Sequence, residues 1–390
     1  MLIHELRLAG LLSFGPDTPP LAMERLNILV GPNGSGKSNF IEAIALLRSA
    51  ATKLTTPIRE KGGGGVIEWI WKGKPNGMAT IDATIKLDGE PDLIRHSIEF
   101  CAESQRFVLL DERIGKDVTY PSHPDGYYFY RIVRGTPLLM IQDRGDQRFL
   151  EVKDVAQDES ILSQRRDPEH YPQLSKLAQN DERIRIYREW TFGRSSIFRT
   201  PQSADLPSDR LEENFSNLGL FLNHLRSIPN VKNVIQSELR NLYSGLDDFD
   251  IRVKGGTVEV FLTEGNFVIP ASRLSDGTLR FLCLLAILCD PNPAPLICIE
   301  EPELGMHPDM LPGIADLLIA ASERTQLVVT THSDILVDAM TERPESVVVF
   351  DKQDGLTTAQ RLNADDLKIW LKDYRLGRLW TNGQLGGVRW

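Results

Sequence analysis

The sequence predicts an α/β fold in which a parallel sheet is flanked by helices, with an antiparallel sheet beside it. The first observation is a short apolar run, 26–30, followed by a glycine-rich segment and then by apolar residues at helical spacing. The second is an alternation of helix and strand patterns over 276–350, which is typical of parallel sheets. The third is a series of alternating apolar and polar segments from Val66 to about Gln142, which predicts antiparallel strands.

The C-terminal alternation predicts six elements, preceded by the short strands FDIRV and TVEVFL. The six are helix 276–289, strand 295–300, helix 308–322, strand 326–330, helix 333–340 and strand 346–350. Residues 143–245 are more polar and carry amphipathic helical spacing, so we expect an inserted arm there. The predicted organisation is an N-terminal lobe 1–142, the partly helical arm 143–245, a C-terminal lobe 246–362 and a tail 363–390.

The composition is that of a globular protein with an extensive buried core, since 41% of the 390 residues are hydrophobic. The longest apolar run, Phe281–Cys289, is much shorter than the roughly 18 residues of a membrane span, so we expect no membrane segment. The N-terminus lacks the basic and apolar regions of a secretory signal, and we expect a cytoplasmic protein. The cysteines lack metal-site spacing and are expected in the core: Cys101, Cys283, Cys289 and Cys298.

The formal net charge of −10 argues against a protein that coats nucleic acid through overall basicity. A local DNA-binding groove stays open, because arginines alternate with aromatic residues that can stack on bases. Asp181, Glu182 and Glu189 dilute this charge, which favours a strand with one packed and one solvated face. The set comprises Arg183, Arg185, Arg188, Arg194 and Arg199 with Tyr187, Trp190, Phe192 and Phe198.

Residues Gly31–Ser38, GPNGSGKS, match the phosphate-binding loop pattern between a strand and a helix. Glycines let backbone N–H groups turn toward an anion, and the following helix N-terminus adds positive potential. Lys37 is expected to reach the β- and γ-phosphates of ATP during catalysis, and the Ser38 hydroxyl suits Mg²⁺. A glycine-rich turn that matches by chance would lack this strand and helix. The predicted contacts are Gly31, Pro32, Asn33, Gly34, Ser35, Gly36, Lys37, Ser38 and Asn39.

The apolar strand 296–299 leads into the acidic segment Glu300-Glu301-Pro302-Glu303. Ligands of open parallel sheets bind at the carboxyl ends of the strands. We therefore expect Glu300 to hold Mg²⁺, directly or through water, and Glu301 to orient or deprotonate the water that attacks the γ-phosphorus. The alternative is a solvated acidic turn, which is common for a lone pair of glutamates.

The functional interpretation of two further segments is strengthened by their order relative to the other motifs in the chain. Leu274–Thr278, LSDGT, precedes a strongly apolar helix, and on its own it is an ordinary cap with Ser275 or Asp276 as the capping residue. His332 follows the strand QLVVT. A lone histidine at a strand end is usually structural, but neutral imidazole can donate one hydrogen bond to phosphate and accept another.

In this order the motifs resemble those of ABC-type ATPase heads of the RecF/SMC branch, and specifically small stand-alone bacterial AAA-type ATPases with RecF-like heads. The resemblance covers nearly the whole chain and includes LRLAGLLSFG, LNILVGPNGSGKSNFIEAI, RLSDGTLRFLCLLAIL, LICIEEPELGMHP, LVVTTHSDIL and LGRLWTNGQLGGVRW. It implies a P-loop NTPase of the ABC-ATPase head type. It also implies that Ser275 and Gly277 meet the γ-phosphate held by a second chain, and that His332 senses that phosphate.

Two departures from the family pattern are visible. Glu300 stands where aspartate is usual, which affects metal geometry and turnover because glutamate is one methylene longer. The glutamine-containing loop that links metal to lobe movement has no clear match. Gln105, Gln142 and Glu112 are all candidates for it.

The resemblance implies a homodimer that encloses two ATP molecules and opens on hydrolysis at Glu301. The output it implies is DNA repair, recombination or anti-phage defence. The alternative is an ATP-gated scaffold that controls a separately encoded nuclease or toxin without contacting DNA. A transporter ATPase subunit fits poorly, because the gap of roughly 230 residues between Ser38 and Leu274 exceeds what such a subunit needs.

The C-terminal residues leave two alternatives open. The 58 residues after His332 are too few for a Toprim nuclease domain, so we expect any nuclease activity to lie in another protein. The tail 376–390 either docks a partner through aromatic anchors or folds back on its own head. The residues in question are Trp380, Gly383, Gly386, Gly387 and Trp390.

Overall fold

The computed structural model describes residues 1–74, 77–117, 127–140, 147–149, 155–190, 193–194, 196–242 and 245–387. The strands are β1 (Ile3–Ala9), β2 (Leu21–Ala22), β3 (Leu26–Val30), β4 (Met78–Ile85), β5 (Ile94–Glu103), β6 (Arg106–Lys116), β7 (Tyr128–Val133), β8 (Thr136–Met140), β9 (Gln147–Phe149), β10 (Arg185–Tyr187), β11 (Gln202–Ser203), β12 (Leu246–Lys254), β13 (Thr257–Glu264), β14 (Phe267–Pro270), β15 (Leu296–Glu300), β16 (Gln326–Thr330), β17 (Val347–Gln353) and β18 (Leu356–Arg361). The helices are α1 (Lys37–Ser49), α2 (Thr56–Arg59), α3 (Val66–Trp69), α4 (Ile161–Gln164), α5 (Pro172–Glu182), α6 (Leu218–Arg226), α7 (Pro229–Leu242), α8 (Asp276–Leu288), α9 (Leu311–Ser322), α10 (Asp334–Ala339), α11 (Ala364–Leu367) and α12 (Leu376–Thr381).

The central sheet has the strand order β10-β15-β16-β3-β17-β18, parallel except for the last pair. Every residue of β3 and β16 is buried, as expected for strands covered by helices on both faces. In the register of this sheet, Glu300 lies opposite Thr330, and Thr330 lies opposite Leu29. The carboxyl ends of three strands from distant parts of the sequence therefore meet at one edge.

Two antiparallel sheets accompany the parallel one. The larger has the order β2-β1-β4-β5-β6-β7-β8-β9, and the smaller has β11-β13-β12 with β14 paired to β13. Although Val66–Trp69, at the start of the range predicted from Val66 to Gln142, is the helix α3, the larger sheet confirms antiparallel strands within that range as β4–β8. It also includes β9, which lies beyond the predicted boundary at residue 142.

The hydrophobic core consists of two clusters, which we call the first and second cores. In the first core, α1 packs against the larger antiparallel sheet through residues such as Phe40 and Ile44. In the second, Leu279 and Leu282 of α8 pack with α6, α9 and the smaller sheet. The phosphate-binding loop before α1 and Ser275 before α8 are thus carried by different packed units.

Residues 143–245, predicted to be an inserted arm, contribute to both cores in the described part of the range. β10 pairs with β15 at the edge of the parallel sheet, and β11 pairs with β13. Leu177 of α5 and Ile186 of β10 are buried in the first core. A three-residue strand is too short to show a period in the sequence, and its place is set by pairing with a distant strand. The domain boundaries themselves stay predictions.

The described part of the tail folds back onto the head. Leu376, Leu379 and Trp380 of α12 are buried, and the Gly377 N–H donates to Asp338 Oδ1 of α10 at 2.6 Å. Further on, a Cβ placed on Gly387 would lie 3.5 Å from the Cα of Gly31. Through residue 387 the segment therefore folds back on its own head, which is the second of the two alternatives given above. Trp390 lies outside the described residues.

The burial of the cysteines and the length and apolarity of the helices bear on two expectations from the sequence. Cys283, Cys289 and Cys298 are buried as predicted, while Cys101 is half-buried on β5. None of the helices in the described part of the chain has both the length and the apolarity needed to cross a membrane.

Candidate functional site

The site lies at the carboxyl edge of the parallel sheet, where each strand delivers a different group. Gly31 follows β3, Glu300 ends β15 and His332 lies two residues after β16. Arg188 follows β10, which is paired with β15 through Tyr187 and Ile299. Hydrogen bonds tie these ends together, since the Glu301 N–H donates to Thr330 O and the Thr331 N–H donates to Leu29 O.

The phosphate-binding loop adopts the conformation that its glycines permit. Gly34 and Gly36 have φ of 76° and 106°, in the left-handed region that favours glycine. Lys37 is only 6% exposed, and its Nζ donates to the carbonyl oxygens of Gly31 and Pro32 at 2.7 and 3.0 Å. The lysine ammonium group is thus held by the backbone of the loop itself.

Ser13 and Thr357 support this loop, and sequence reasoning missed both. Thr357 Oγ1 donates to the Ser35 carbonyl at 2.8 Å and lies 2.7 Å from Ser13 Oγ. Asn39, predicted as a nucleotide contact, donates from Nδ2 to Ser13 Oγ at 2.8 Å. No sequence signal points to Thr357, because β18 reaches the loop only through the tertiary fold.

The predicted magnesium ligands have the chemistry for a hard cation. Glu300 Oε1 is buried and has no hydrogen-bond partner in the described structure, while the Ser38 hydroxyl is exposed on the first turn of α1. Burial raises the pKa of the Glu300 carboxyl; Arg188 and Lys37 counteract this, and Glu42 adds to it. Among the described residues there is no cluster of three or more acidic, histidine or cysteine ligands. Such a sparse set fits Mg²⁺ held largely by nucleotide and water.

Glu301 and His332 face each other at the rim of the site. The distance from His332 Nε2 to Glu301 Oε1 is 3.6 Å, and both side chains are partly exposed. Glu301 has φ of 46°, which is uncommon for a residue other than glycine. Its N–H is held by the carbonyl and hydroxyl oxygens of Thr330. The Glu301 side chain is 42% exposed, so its carboxylate is accessible to solvent.

Glu303 ties the acidic segment to the histidine loop, a role that the sequence did not indicate. Its Oε1 accepts the Thr331 hydroxyl and the His332 N–H, each at 2.7 Å. Burial raises the pKa of the Glu303 carboxyl, although these hydrogen bonds oppose the shift. His332 is thereby held in register with Glu301 by a neighbouring acid.

Arg280, 1% exposed, is a further unpredicted member of the site. Its guanidinium donates to the carbonyl oxygens of Glu301 and Leu304 and stacks over Trp190, whose Nε1–H donates to Glu300 O. Burial lowers the pKa of Arg280 to about 10. A lone arginine in the apolar run of α8 was the available sequence signal.

The arginines proposed for a DNA groove are mostly engaged within the chain. Arg188 forms an ion pair with Glu42, and Arg185 donates to the carbonyls of Glu182 and Ile184. Arg199 pairs with Asp276, whereas Arg194 is exposed. The described structure therefore favours the packed-strand interpretation of this segment. Phe192 and the side chain of Phe198 lie outside the described residues.

Ser275 is exposed at the start of α8 and caps it, since its Oγ accepts the Thr278 N–H at 3.0 Å. A Cβ on Gly277 would lie 3.1 Å from the Gly305 carbonyl, so the close approach of the acidic segment requires a small residue there. The motif thus borders the segment that carries Glu301, on the surface of the second core.

Two of the three candidates for the missing glutamine loop, Gln105 and Glu112, do not lie at this edge. Glu112 is buried and bonded to Ser160 and His96, and Gln105 is in the β5–β6 turn. Gln142 lies outside the described residues. The loop after β10, with Arg188 and Trp190, contacts the acidic segment instead.

Comparison with known proteins agrees with the fold. Residues 26–338 match the family described as "AAA domain, putative AbiEii toxin, Type IV TA system". An SmcHead structure, bound to the C-winged helix domain of ScpA, is similar over 94% of this chain and 99% of its own, with TM-score 0.53 and 15% identity. An Smc head with an extended coiled coil, derived from Pyrococcus furiosus, is similar over 96% of this chain and 99% of its own, also with TM-score 0.53 and 15% identity.

One curated relative matches part of the chain. It is the Old nuclease of Escherichia phage P2, 22% identical over 199 residues. The matched region makes up 44% of this chain and 34% of the phage protein, so the chain spans about a third of that relative's length.

Proposed function

Because the chain belongs to the AAA-domain family that matches residues 26–338 and has the fold of an SMC/RecF-like ABC-type ATPase head, we propose that it hydrolyses ATP as one half of a two-chain switch. One observation carries the proposal. Three separate strands bring four side chains to one edge of the sheet: Lys37, the pair Glu300 and Glu301, and His332. A solvated acidic turn or a structural histidine would not require this convergence.

ATP binds with its phosphates against the N–H groups of Gly31–Ser38. Lys37 exchanges the carbonyls of Gly31 and Pro32 for phosphate oxygens, because an anion is the stronger partner for its ammonium group. Ser38 and Glu300 would hold Mg²⁺, whose positive charge neutralises the phosphate oxygens when it is bound.

Glu301 orients and deprotonates the attacking water. The water oxygen forms a bond to the γ-phosphorus while the bond from that phosphorus to the β,γ-bridging oxygen breaks, and ADP and phosphate leave. His332 Nε2, 3.6 Å from Glu301 Oε1, is placed to donate to a γ-phosphate oxygen and to follow its departure. Glu303 and Arg280 hold this pair through its backbone.

The second half of the site comes from another copy of the chain. Ser275 and Gly277 are presented by the second core, and the exposed N-terminus of α8 favours an anion. ATP therefore joins two heads, and hydrolysis releases them.

The test is the oligomeric state of Glu301→Gln, which keeps the size of the side chain but removes its basicity. With Mg-ATP this variant is expected to elute as a dimer in light-scattering chromatography, and with ADP as a monomer. Lys37→Met is the control that should lose both ATP binding and the dimer. A Glu301→Gln protein that binds ATP yet stays monomeric would overturn the two-chain switch.

For the output of the switch, a separately encoded effector is favoured over direct DNA contact. The pairing of Arg188 with Glu42 and of Arg199 with Asp276 removes the main support for a DNA groove. DNA repair, recombination or anti-phage defence remains the process that we propose. Salt-sensitive, ATP-dependent DNA binding by Glu301→Gln would instead support direct contact.

A further inference from the structure

The LSDGT segment carries a negative charge at the point where a second chain's triphosphate is proposed to dock. Asp276 is the first residue of α8 and follows Ser275. A carboxylate at a helix N-terminus competes with phosphate for the same N–H groups and repels it. An ATP-bridged dimer therefore needs a means of neutralising this side chain.

Arg199 supplies the opposite charge. Its Nη2 donates to Asp276 Oδ1 at 2.7 Å, and its side chain is 13% exposed. The Gly193 N–H approaches both Asp276 oxygens, at 3.3 and 3.2 Å. The Arg199 hydrogen bond, foremost among these contacts, lowers the pKa of Asp276, so the carboxylate stays ionised and paired.

Arg199 is also fixed in place by the backbone that leads to the motif. Its Nη1 donates to the carbonyls of Leu274 and Ser272 at 2.6 and 3.2 Å, and its Nε donates to Gly193 O at 3.1 Å. The guanidinium thus uses all three nitrogens and cannot swing freely. It holds the residues on both sides of Ser275.

We propose that Arg199 is a positioning residue of the phosphate site completed between two chains: by neutralising Asp276, it keeps the start of α8 accessible to the γ-phosphate of the other chain. This inference rests on the proposed ATP-bridged dimer. It explains how a motif with aspartate after the serine still accepts a polyanion. It also identifies Arg199 as part of the ATP switch rather than of a DNA groove.

The experiment measures the ATP-dependent dimerisation constant in the Glu301→Gln background. Arg199→Ala is expected to weaken the dimer at least ~10-fold, because it exposes an unpaired carboxylate to phosphate. Adding Asp276→Asn to Arg199→Ala is expected to restore most of the affinity, and Arg199→Lys to retain it. Arg194→Ala, which makes the same change in net charge at an exposed residue of this segment, is the matched control and should leave dimerisation unchanged.

A purely structural role for Arg199 predicts a different result, because Asp276→Asn cannot replace the hydrogen bonds to Ser272 and Leu274. If the double variant is as weak as Arg199→Ala, or if Arg199→Ala dimerises normally, the inference is wrong while the two-chain switch stands. If Glu301→Gln itself stays monomeric with ATP bound, the proposed function fails, and the inference fails with it. ATP affinity of the monomer, measured by calorimetry, should be equal in all variants that keep Lys37.

Discussion

The guanidinium carbon of Arg280 lies 4.1 Å from the ring centre of Trp190, and the two side chains hold opposite ends of one acidic segment. Trp190 donates to the Glu300 carbonyl, while Arg280 donates to the carbonyls of Glu301 and Leu304. The stack thus connects α8, which is capped by the proposed phosphate contact Ser275, to the backbone of Glu301 in the same chain. A shift of α8 on dimerisation would therefore move the backbone of Glu301 through the Arg280 hydrogen bond.

Arg280→Met keeps most of the side-chain bulk but removes its donors. We expect ATP turnover to fall ~10-fold or more, because Glu301 is no longer held in place. Two part-buried hydrogen bonds from the charged guanidinium to backbone carbonyls are also lost, which costs about 1.5–3 kcal/mol of stability. Arg280→Lys, which keeps the charge and some of the donors, should be intermediate. Steady-state ATPase assays with thermal melts check both effects, and unchanged turnover in Arg280→Met would refute the link.

Glu303→Ala should lower turnover ~10-fold with little change in ATP affinity, because it releases the His332 N–H and the Thr331 hydroxyl. Glu303→Gln is the matched control. Its amide oxygen can still accept these two hydrogen bonds, so most of the activity should remain. Separate measurement of ATP affinity and turnover distinguishes positioning of His332 from loss of binding. Equal defects in both variants would show that turnover depends on the negative charge of Glu303 and not on its carbonyl-type oxygen as a hydrogen-bond acceptor.

The phosphate-binding loop offers a comparison of two glycines. A Cβ on Gly36 would lie 2.3 Å from Thr357 Oγ1, whereas one on Gly34 meets nothing within 4 Å. Both have positive φ and carry the same kind of backbone strain. Gly36→Ala is therefore expected to weaken ATP binding ~10-fold or more, and Gly34→Ala only a few-fold. Calorimetric titration with ATP tests this difference, and similar losses would mean that contact with Thr357 is unimportant.

Asp181 predicts a pH dependence of stability. Its carboxyl is fully buried without a hydrogen-bond partner in the described structure, and burial raises its pKa well above the ordinary 3.8. The folded state therefore binds this proton more tightly than the unfolded state. The stability that this protonated carboxyl contributes is fully present below pH 3.8, and it is lost as pH rises through the raised pKa of the folded state.

Asp181→Asn removes this loss, since the amide cannot ionise. The variant should be more stable than the parent at pH 8, and the difference should shrink as pH falls toward 5. Thermal melts of both proteins across this pH range provide the measurement. Asp365→Asn, at an exposed position, is the control that should show no such trend. A constant difference at every pH would point to packing instead.

Much of the fold follows from local patterns. Strand 326–330 is observed at the predicted residues, and α8 ends within one residue of its predicted end. These elements carry strong apolar periodicity, which acts over neighbouring residues only. β10 lies in the segment for which a packed strand was favoured, but its three residues show no period that could place it, and its position comes from pairing with β15. The described part of 143–245 was accordingly predicted as an arm rather than as part of the cores.

The sequence by itself identified the residues that we propose to have reactive or anion-binding chemistry, namely the loop Gly31–Ser38, Glu300, Glu301, Ser275 and His332. Motifs of this kind are short because the phosphate groups that they contact are small and the backbone geometry is local. Only the tertiary structure revealed the residues that hold them: Thr357 behind the loop, Glu303 and Arg280 behind Glu301 and His332, and Arg199 beside Asp276. Each of these acts across a contact between elements distant in the sequence, and such contacts are set by packing rather than by spacing along the chain.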